Sequence, residues 1–313
     1  SLNITLEKIT KLTLHVKGDT KKLYYDLKSD NEIRNTKEII TLFDIDPQIR
    51  YWIYDAIELS GLSLNKFHGK IEYKHLDKAY LNLYAAATAN NLNYTYDRKL
   101  APVLSQSTDL EFKNGVLYIN PKNAYSYDFF LDKSRLKIDF SKKEELLTLY
   151  LLFKGSLNKD ILFLLQRYGI KLPFIQKKGD IDTNLKLDIN LHTLDVEALG
   201  KFYAKEAAIE YLGLDIDIFD TTVILDNSDV TVNNMSAKYK DIATSHVDLN
   251  YNAKNSKGRL NFNFENIKLQ DGNITLISDN KGLNAEYKIS KQGDILDIDK
   301  SYWKYKEKTL FIE

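Results

Sequence analysis

The sequence contains no cysteine, a single methionine (Met235) and only four prolines in 313 residues. Without cysteine there are no disulfides, thiolate metal sites or cysteine nucleophiles. This does not fix the compartment, because a cysteine-free chain suits either redox environment. Net charge is also absent, since 44 Lys and Arg balance 44 Asp and Glu. A nucleic-acid binder needs a basic surplus to neutralise phosphates, so nucleic acid is not an expected partner. No run of about 18 apolar residues occurs, so no transmembrane helix is expected, and no signal peptide remains in this stretch. With Met235 as the only methionine, the expectation is a piece cut from a longer chain whose membrane anchor lies outside it. The length suits one large or two ordinary domains.

Chemical motifs are equally scarce. His15, His68, His75, His192 and His246 stand in no H-E-x-x-H frame, and there is no G-x-S-x-G, Walker or G-x-G-x-x-G motif. Asp180-Ile181-Asp182-Thr183-Asn184 opens like a calcium loop. Leu185 stands where that loop needs glycine, and Leu191 where it needs glutamate, so the match fails. Asp215, Asp217 and Asp220, like Asp297 and Asp299, read as a solvated strand face. No carboxylate pair is singled out for glycoside hydrolysis. Strand propensity accounts for Tyr73, Tyr94, Tyr211 and Tyr251. The expectation is a non-enzymatic chain with no cofactor and no metal.

What the sequence does have is alternation with period two. Examples are Leu12, Leu14, Val16; Leu81, Leu83, Ala85; Leu136, Ile138, Phe140; and Leu147, Leu149, Leu151, Phe153. Others are Leu185, Leu187, Ile189, Leu191; Leu214, Ile216, Ile218; Val247, Leu249, Tyr251; and Leu260, Phe262, Phe264. Polar residues fill the places between, which reads as antiparallel strands with one apolar and one wet face. Two segments have helical character instead. Residues 47–59 place Ile49, Trp52, Ile53, Ala56 and Ile57 on one stripe, with Asp46, Pro47 and Gly61 at its ends. Residues 159–168 follow an Asn158 cap, and their run Ile161 to Leu165 is apolar on most sides, so it needs cover on most sides. That helix could gate a groove or cap a core. Residues 36–43 suggest a short third helix.

Three segments share one pattern: Phe112-Lys113-Asn114-Gly115 onward, Leu225-Asp226-Asn227-Ser228 onward, and Leu269-Gln270-Asp271-Gly272 onward. Each reads as a two-residue hairpin turn, with positive φ at both centres. The turns predict that Phe112 faces Leu117, Leu225 faces Val230 and Leu269 faces Ile274. One step out, Leu110 meets Ile119, Val223 meets Val232 and Ile267 meets Leu276. Each hairpin then keeps a single apolar face. The few helices cannot cover so much sheet, so that face must meet another sheet, curl onto itself or meet a ligand.

A resemblance bears on this choice. The stretch Asp46-Pro47, Trp52-Ile53, Ala56-Ile57, Gly61, then Gly69-Lys70-Ile71, Leu92-Asn93-Tyr94, Ala101-Pro102 and Leu110 to Ile119 resembles the AsmA-like proteins of Gram-negative bacteria, and within them the YhdP-like branch. Leu136 to Leu191 continues the pattern, and Gly200-Lys201-Phe202-Tyr203-Ala204 with the Asn227 hairpin resembles an AsmA-like repeat. The YhdP-like part would cover about 30–192 and the repeat about 193–290 of one continuous groove segment. Leu76-Asp77-Lys78-Ala79-Tyr80 departs from the family pattern.

The resemblance implies a mainly β fold: a long antiparallel hairpin-built sheet curled into an open taco-like groove, with two or three short helices. It implies a periplasmic protein, anchored in the inner membrane, that passes phospholipids to the outer membrane and supports its barrier. Phospholipid acyl chains and membrane proteins would be its partners. The expected groove lining is Leu81, Leu83, Leu110, Phe112, Leu117, Ile119, Leu136, Ile138, Phe140, Leu149, Leu151, Leu187, Ile189 and Leu191, continued by Leu214, Ile216, Val223, Leu225, Val230, Val232, Leu249, Tyr251, Phe262 and Phe264. The alternative is a scaffold whose sheet closes on a dry core.

Overall fold

The computed structural model describes residues 2–6, 10–34, 36, 50, 55–95, 99, 101–167, 174–211, 213–278 and 282–312, with the side chains of 2–6, 10 and 164–167 left aside. The protein is mainly β, with 71% strand and 6% helix, and its long antiparallel sheet is not closed into a barrel. Among the described residues no helix is long and apolar enough to cross a membrane.

The strands in chain order begin with β1 (Leu2–Leu6), β2 (Thr10–Gly18), β3 (Lys22–Ser29), β4 (Ile57–Glu58), β5 (Gly61–Glu72), β6 (Leu83–Tyr94) and β7 (Val103–Lys113). Next come β8 (Val116–Ser126), β9 (Phe129–Phe130), β10 (Arg135–Asp139) and β11 (Leu146–Gly155). After helix α1 (Lys159–Arg167) follow β12 (Ile175–Gly179), β13 (Ile181–Asn190), β14 (Val196–Tyr211), β15 (Leu214–Asp226), β16 (Asp229–Tyr239) and β17 (Ala243–Asn252). The last are β18 (Lys257–Asp271), β19 (Ile274–Ser278), β20 (Leu283–Ile289), β21 (Ile295–Ile298), β22 (Ser301–Tyr305) and β23 (Lys308–Ile312). The chain divides into two compact units, Ser1–Phe153 with Lys186–Glu197, and Lys154–Leu185 with Ala198–Glu313.

In the first unit the ladder runs β1–β2–β3–β5–β6–β7–β8–β10–β11, each pair antiparallel. In the second it runs β12–β14–β15–β16–β17–β18–β20–β21. Strand β18 forks: Gly258–Phe264 pair with β20, while Lys268–Asp271 pair with β19, which leads on to β22 and β23.

Two of the three hairpins have the predicted register. Phe112 faces Leu117 and Leu110 faces Ile119 around Asn114 (φ +53°) and Gly115 (φ +75°). Leu225 faces Val230 and Val223 faces Val232 around Asn227 (φ +53°), but Ser228 does not take the positive φ expected at both centres. The third differs. Asp271 faces Ile274 and Leu269 faces Leu276, so the turn is Gly272–Asn273 rather than Asp271–Gly272. Glycine at the first central position, here with φ +55°, selects the mirror-image turn with one positive φ. The two-residue slip keeps Leu269 opposite an apolar partner, so the face is preserved.

Helix α1 starts as the sequence predicts. The Asn158 Oδ1 accepts the backbone N–H groups of Asp160 (3.1 Å) and Ile161 (3.0 Å). Ile161 is buried, but Phe163 is 49% exposed, so one flank of this apolar helix lacks the expected cover. The stretch expected as helix over 47–59 lies mostly outside the described residues. Its end is corrected, because Ile57 and Glu58 find ladder partners in Tyr94 and Asn93 and the chain is already strand there. The expected helix over 36–43 also lies outside them, Thr36 apart. Leu76–Asn82 forms a 3-10 helix, which takes Leu81 out of the predicted alternating strand and seats it over the Asn114–Gly115 turn.

Alternation breaks at particular positions in each unit, and these breaks bend the strands. In the first unit Asn91 (φ +49°) sits unpaired between Asn90 and Leu92, and Gln106 and Asn123 (φ +48°) sit unpaired between the Ser105–Ala124 and Ser107–Lys122 pairs. Residues three apart then turn to the same side: Ala89 and Leu92, Ser105 and Thr108, Pro121 and Ala124 are all buried. In the second unit the same happens at Asp220 (φ +44°) and Asn234 (φ +53°), and the register slips again at Glu265 in β18. Here Ala204 with Ala207, and Ile218 with Thr221, are buried pairs three apart. Such irregularities bend and twist strands. Asn and Asp supply them because they tolerate positive φ best among residues with a side chain. Small residues flank the bend because its inner side has little room.

Side chains replace the ladder bonds lost at the crease. Ser105 Oγ lies 2.8 Å from the Ser107 carbonyl and 2.9 Å from that of Lys122, and accepts the Thr108 hydroxyl at 3.0 Å. The Asn123 amide donates to Gln106 at 3.1 Å. Ser105→Ala would strand buried polar groups, so we expect a loss of about 1–3 kcal/mol in urea unfolding.

Candidate functional site: an uncovered apolar sheet face

Cross-strand pairing assembles the alternating apolar residues into continuous rows. In the first unit Phe67, Ala85, Phe112, Leu117, Ile138 and Leu147 form one row across six strands. Leu64, Ala87, Leu110, Ile119, Leu136 and Leu149 form the next. In the second unit Phe202, Val223, Val232, Leu249, Leu260, Tyr287 and Leu296 form a row across seven strands. A neighbouring row carries Gly200, Leu225, Val230, Tyr251, Gly258 and Ile289. Another runs Met235, Val247, Phe262, Ala285 and Ile298. Phe262 and Phe264 stack with ring centres 5.7 Å apart.

Most of these side chains are only half-buried, and Leu296 is 55% exposed. A covered sheet would bury them. Two dry parts lie among the described residues. Ile138, Leu147 and Leu191 form one core cluster, against which Leu117, Leu136, Phe140, Leu149 and Ile189 pack. Ala204, Ala207 and Ile218 form another, against which Ile181, Ile209, Ile216 and Met235 pack. Ile138 (3% exposed), Leu191 (1%) and Val232 (4%) are therefore core residues, whereas Leu83, Leu151, Leu187, Leu225, Val230 and Tyr251 remain half-open. Leu214 is exposed at the end of β15.

Sequence reasoning missed much of β14, where Phe202, Ala204, Ala207 and Ile209 belong to the face. The crease between Ala204 and Ala207 breaks the period-two signal, and alanine carries little of it. The usable signal would have been residues three apart flanking an Asn or Asp where alternation expects two, as at Pro121-x-Asn123-Ala124 and Ile218-x-Asp220-Thr221.

Tyr287 donates to Asp294 at 2.7 Å, and this bond to an anion is the main reason its phenol is pushed up to about 12.

The opposite face is wet. Arg259 and Lys288 pair with Glu286 at 2.8 and 2.7 Å, and Lys288 also reaches Asp297 at 2.8 Å. A shallow depression there, of about 600 Å³, is lined mainly by amides and carboxylates, among them Asn234, Asp248, Asn263 and Asp299. Among the described residues no cluster of three or more His, Asp or Glu could hold a metal ion.

One carboxylate on the wet side of the first unit ties strands together. Burial alone would raise the Asp188 pKa, but Lys186 (2.5 Å) and the Thr148 hydroxyl (2.6 Å) together bring it below its ordinary value. A folded-state pKa below the unfolded one adds stability above the unfolded value, and that stability is lost as pH falls through the folded one. We expect Asp188→Asn to flatten the fall of unfolding free energy below about pH 4, read from urea titrations at several pH values.

No family model, curated protein or solved structure matches this chain.

Proposed function

We propose that the protein is a non-enzymatic lipid-binding conduit whose apolar sheet face solvates acyl chains while head groups stay in water. The observation that carries this reading is the seven-strand apolar row from Phe202 to Leu296, most of whose side chains stay half-buried, with Val232 sealed and Leu296 55% exposed. Leaving so many apolar side chains half-wet is costly at about 25 cal/mol per Å², and an acyl chain laid along the row would remove that cost. Apolar contact is non-directional, so selectivity among chains is weak. The resemblance to AsmA-like proteins supports the finer reading. In it the conduit is periplasmic, tied to the inner membrane through a segment outside this chain, and moves phospholipid towards the outer membrane.

The test is direct. A benzophenone amino acid placed at Phe262 should, on illumination, label co-purified phospholipid identified by mass spectrometry. Labelling of protein alone, with no lipid in the extract, would sink the proposal in favour of a scaffold.

A further inference from the structure

Two turns meet at one end of the first unit. The β2–β3 turn and the segment after β5 lie side by side, because Lys22 faces Glu72 across the ladder and the Tyr73 N–H donates to the Lys21 carbonyl at 3.1 Å. The 3-10 helix Leu76–Asn82 follows and is anchored at its far end. There the Tyr80 hydroxyl donates to the Phe140 carbonyl at 3.3 Å, and Leu81 sits over the Asn114–Gly115 turn. The near end is bare. Every residue from Tyr73 to Lys78 is exposed, and Leu76, at 63%, is more exposed than any other large apolar side chain among the described residues. The charge here is one-sided in a chain with none overall: residues 16–24 and 70–80 hold six lysines against Asp19, Glu72 and Asp77. Glu72 goes to Lys70 at 2.6 Å, and Asp19 accepts the backbone N–H groups of Lys21 and Lys22 at 2.8 and 3.0 Å. Among the described residues Lys17, Lys21, Lys74 and Lys78 form no ion pair.

We infer that the loop Tyr73–Lys78 docks on the surface of an anionic lipid membrane, with Tyr73 and Leu76 entering the interface and the lysines of both turns meeting lipid phosphates. Tyrosine favours the level of the head groups and leucine the acyl boundary beneath it. Lys74 and Lys78 flank Leu76, and a lysine stem is long enough to lie along the apolar layer while its ammonium stays at the phosphates. Each lysine near such a surface adds about fivefold to the partitioning. An acidic protein would account for the lysines, but Leu76 calls for an apolar phase as well. The loop also has a telling place. Strand β5 carries Phe67 in one of the apolar rows and ends at Glu72, so the loop stands at the rim of that face. The inference goes beyond the conduit reading, in which these rows floor a lipid trough, and does not depend on it.

The absence of cysteine makes the docking testable with a single label. The full chain carrying Leu76→Cys takes an environment-sensitive nitrobenzoxadiazole dye and is mixed with vesicles of phosphatidylcholine, alone or with phosphatidylglycerol. Asp241→Cys, on an exposed turn of the other unit, is the control. On the mixed vesicles the label at position 76 should brighten at least about threefold and shift to the blue, while the control stays unchanged. In flotation of the unlabelled chain, Leu76→Glu should weaken binding at least about tenfold, because a carboxylate enters neither the acyl boundary nor an anionic surface. Lys74→Gln with Lys78→Gln should weaken it about twentyfold, and added salt should do the same to the wild type. These positions are exposed, so far-UV circular dichroism should be unchanged in all variants. No flotation at low salt, equal binding to both vesicles, or binding unmoved by Leu76→Glu overturns the inference. Soluble polyglutamate that brightens the label as the vesicles do assigns the loop to an acidic protein and also overturns it. Phospholipid recovered with the purified protein reads the conduit separately, and its absence leaves the docking in place.

Discussion

Leu249→Glu should abolish lipid capture and leave the fold intact. Leu249 lies mid-row between Val232 and Leu260, half-buried rather than sealed. In the empty trough its carboxylate would keep its water. Under an acyl chain it would lose that water without gaining a partner, at a cost of several kcal/mol. We expect phospholipid recovered with the purified variant to fall at least about a hundredfold, while far-UV circular dichroism and the urea midpoint barely change. The same substitution at Val232, which is 4% exposed, should unfold the protein instead. That contrast separates lining from core. Equal lipid content in wild type and Leu249→Glu would show that lipid does not lie on this row.

Leu147→Ala should cost about 3 kcal/mol in urea unfolding, a large loss for the removal of one apolar side chain. Leu147 is 2% exposed and packs with Ile138 and Leu191 in a dry cluster, so its truncation leaves a cavity among sealed neighbours. Leu296→Ala, on an exposed edge of the other unit, should cost under about 0.5 kcal/mol. Similar losses for both would mean that something covers β21 in solution.

The strands were legible because alternation of apolar and polar residues is a direct image of a one-sided sheet. The hairpins at Asn114 and Asn227 were legible down to their cross-strand partners, because Asn at positive φ admits few turn geometries. The third turn was not, since Asp-Gly and Gly-Asn overlap in the same four residues and either register gives Leu269 an apolar partner. Leu81 misled because its spacing fits a strand as well as it fits a 3-10 turn. The creases were hidden by the same rule that revealed the strands. Where Asn91, Asn123 or Asn234 steps out of the ladder, the period of two fails, and a reading built on that period sees only a gap.

The creases decide how the trough meets an occupant. Its curvature is written into backbone dihedrals at Asn234 and Asp220, not into contacts that a ligand must first induce. A site already shaped before binding spends little ordering entropy on closing around its guest. Entry should then be limited by diffusion, not by refolding of the walls. Chains of different length would be received almost alike, each wetting as many rows as it can reach.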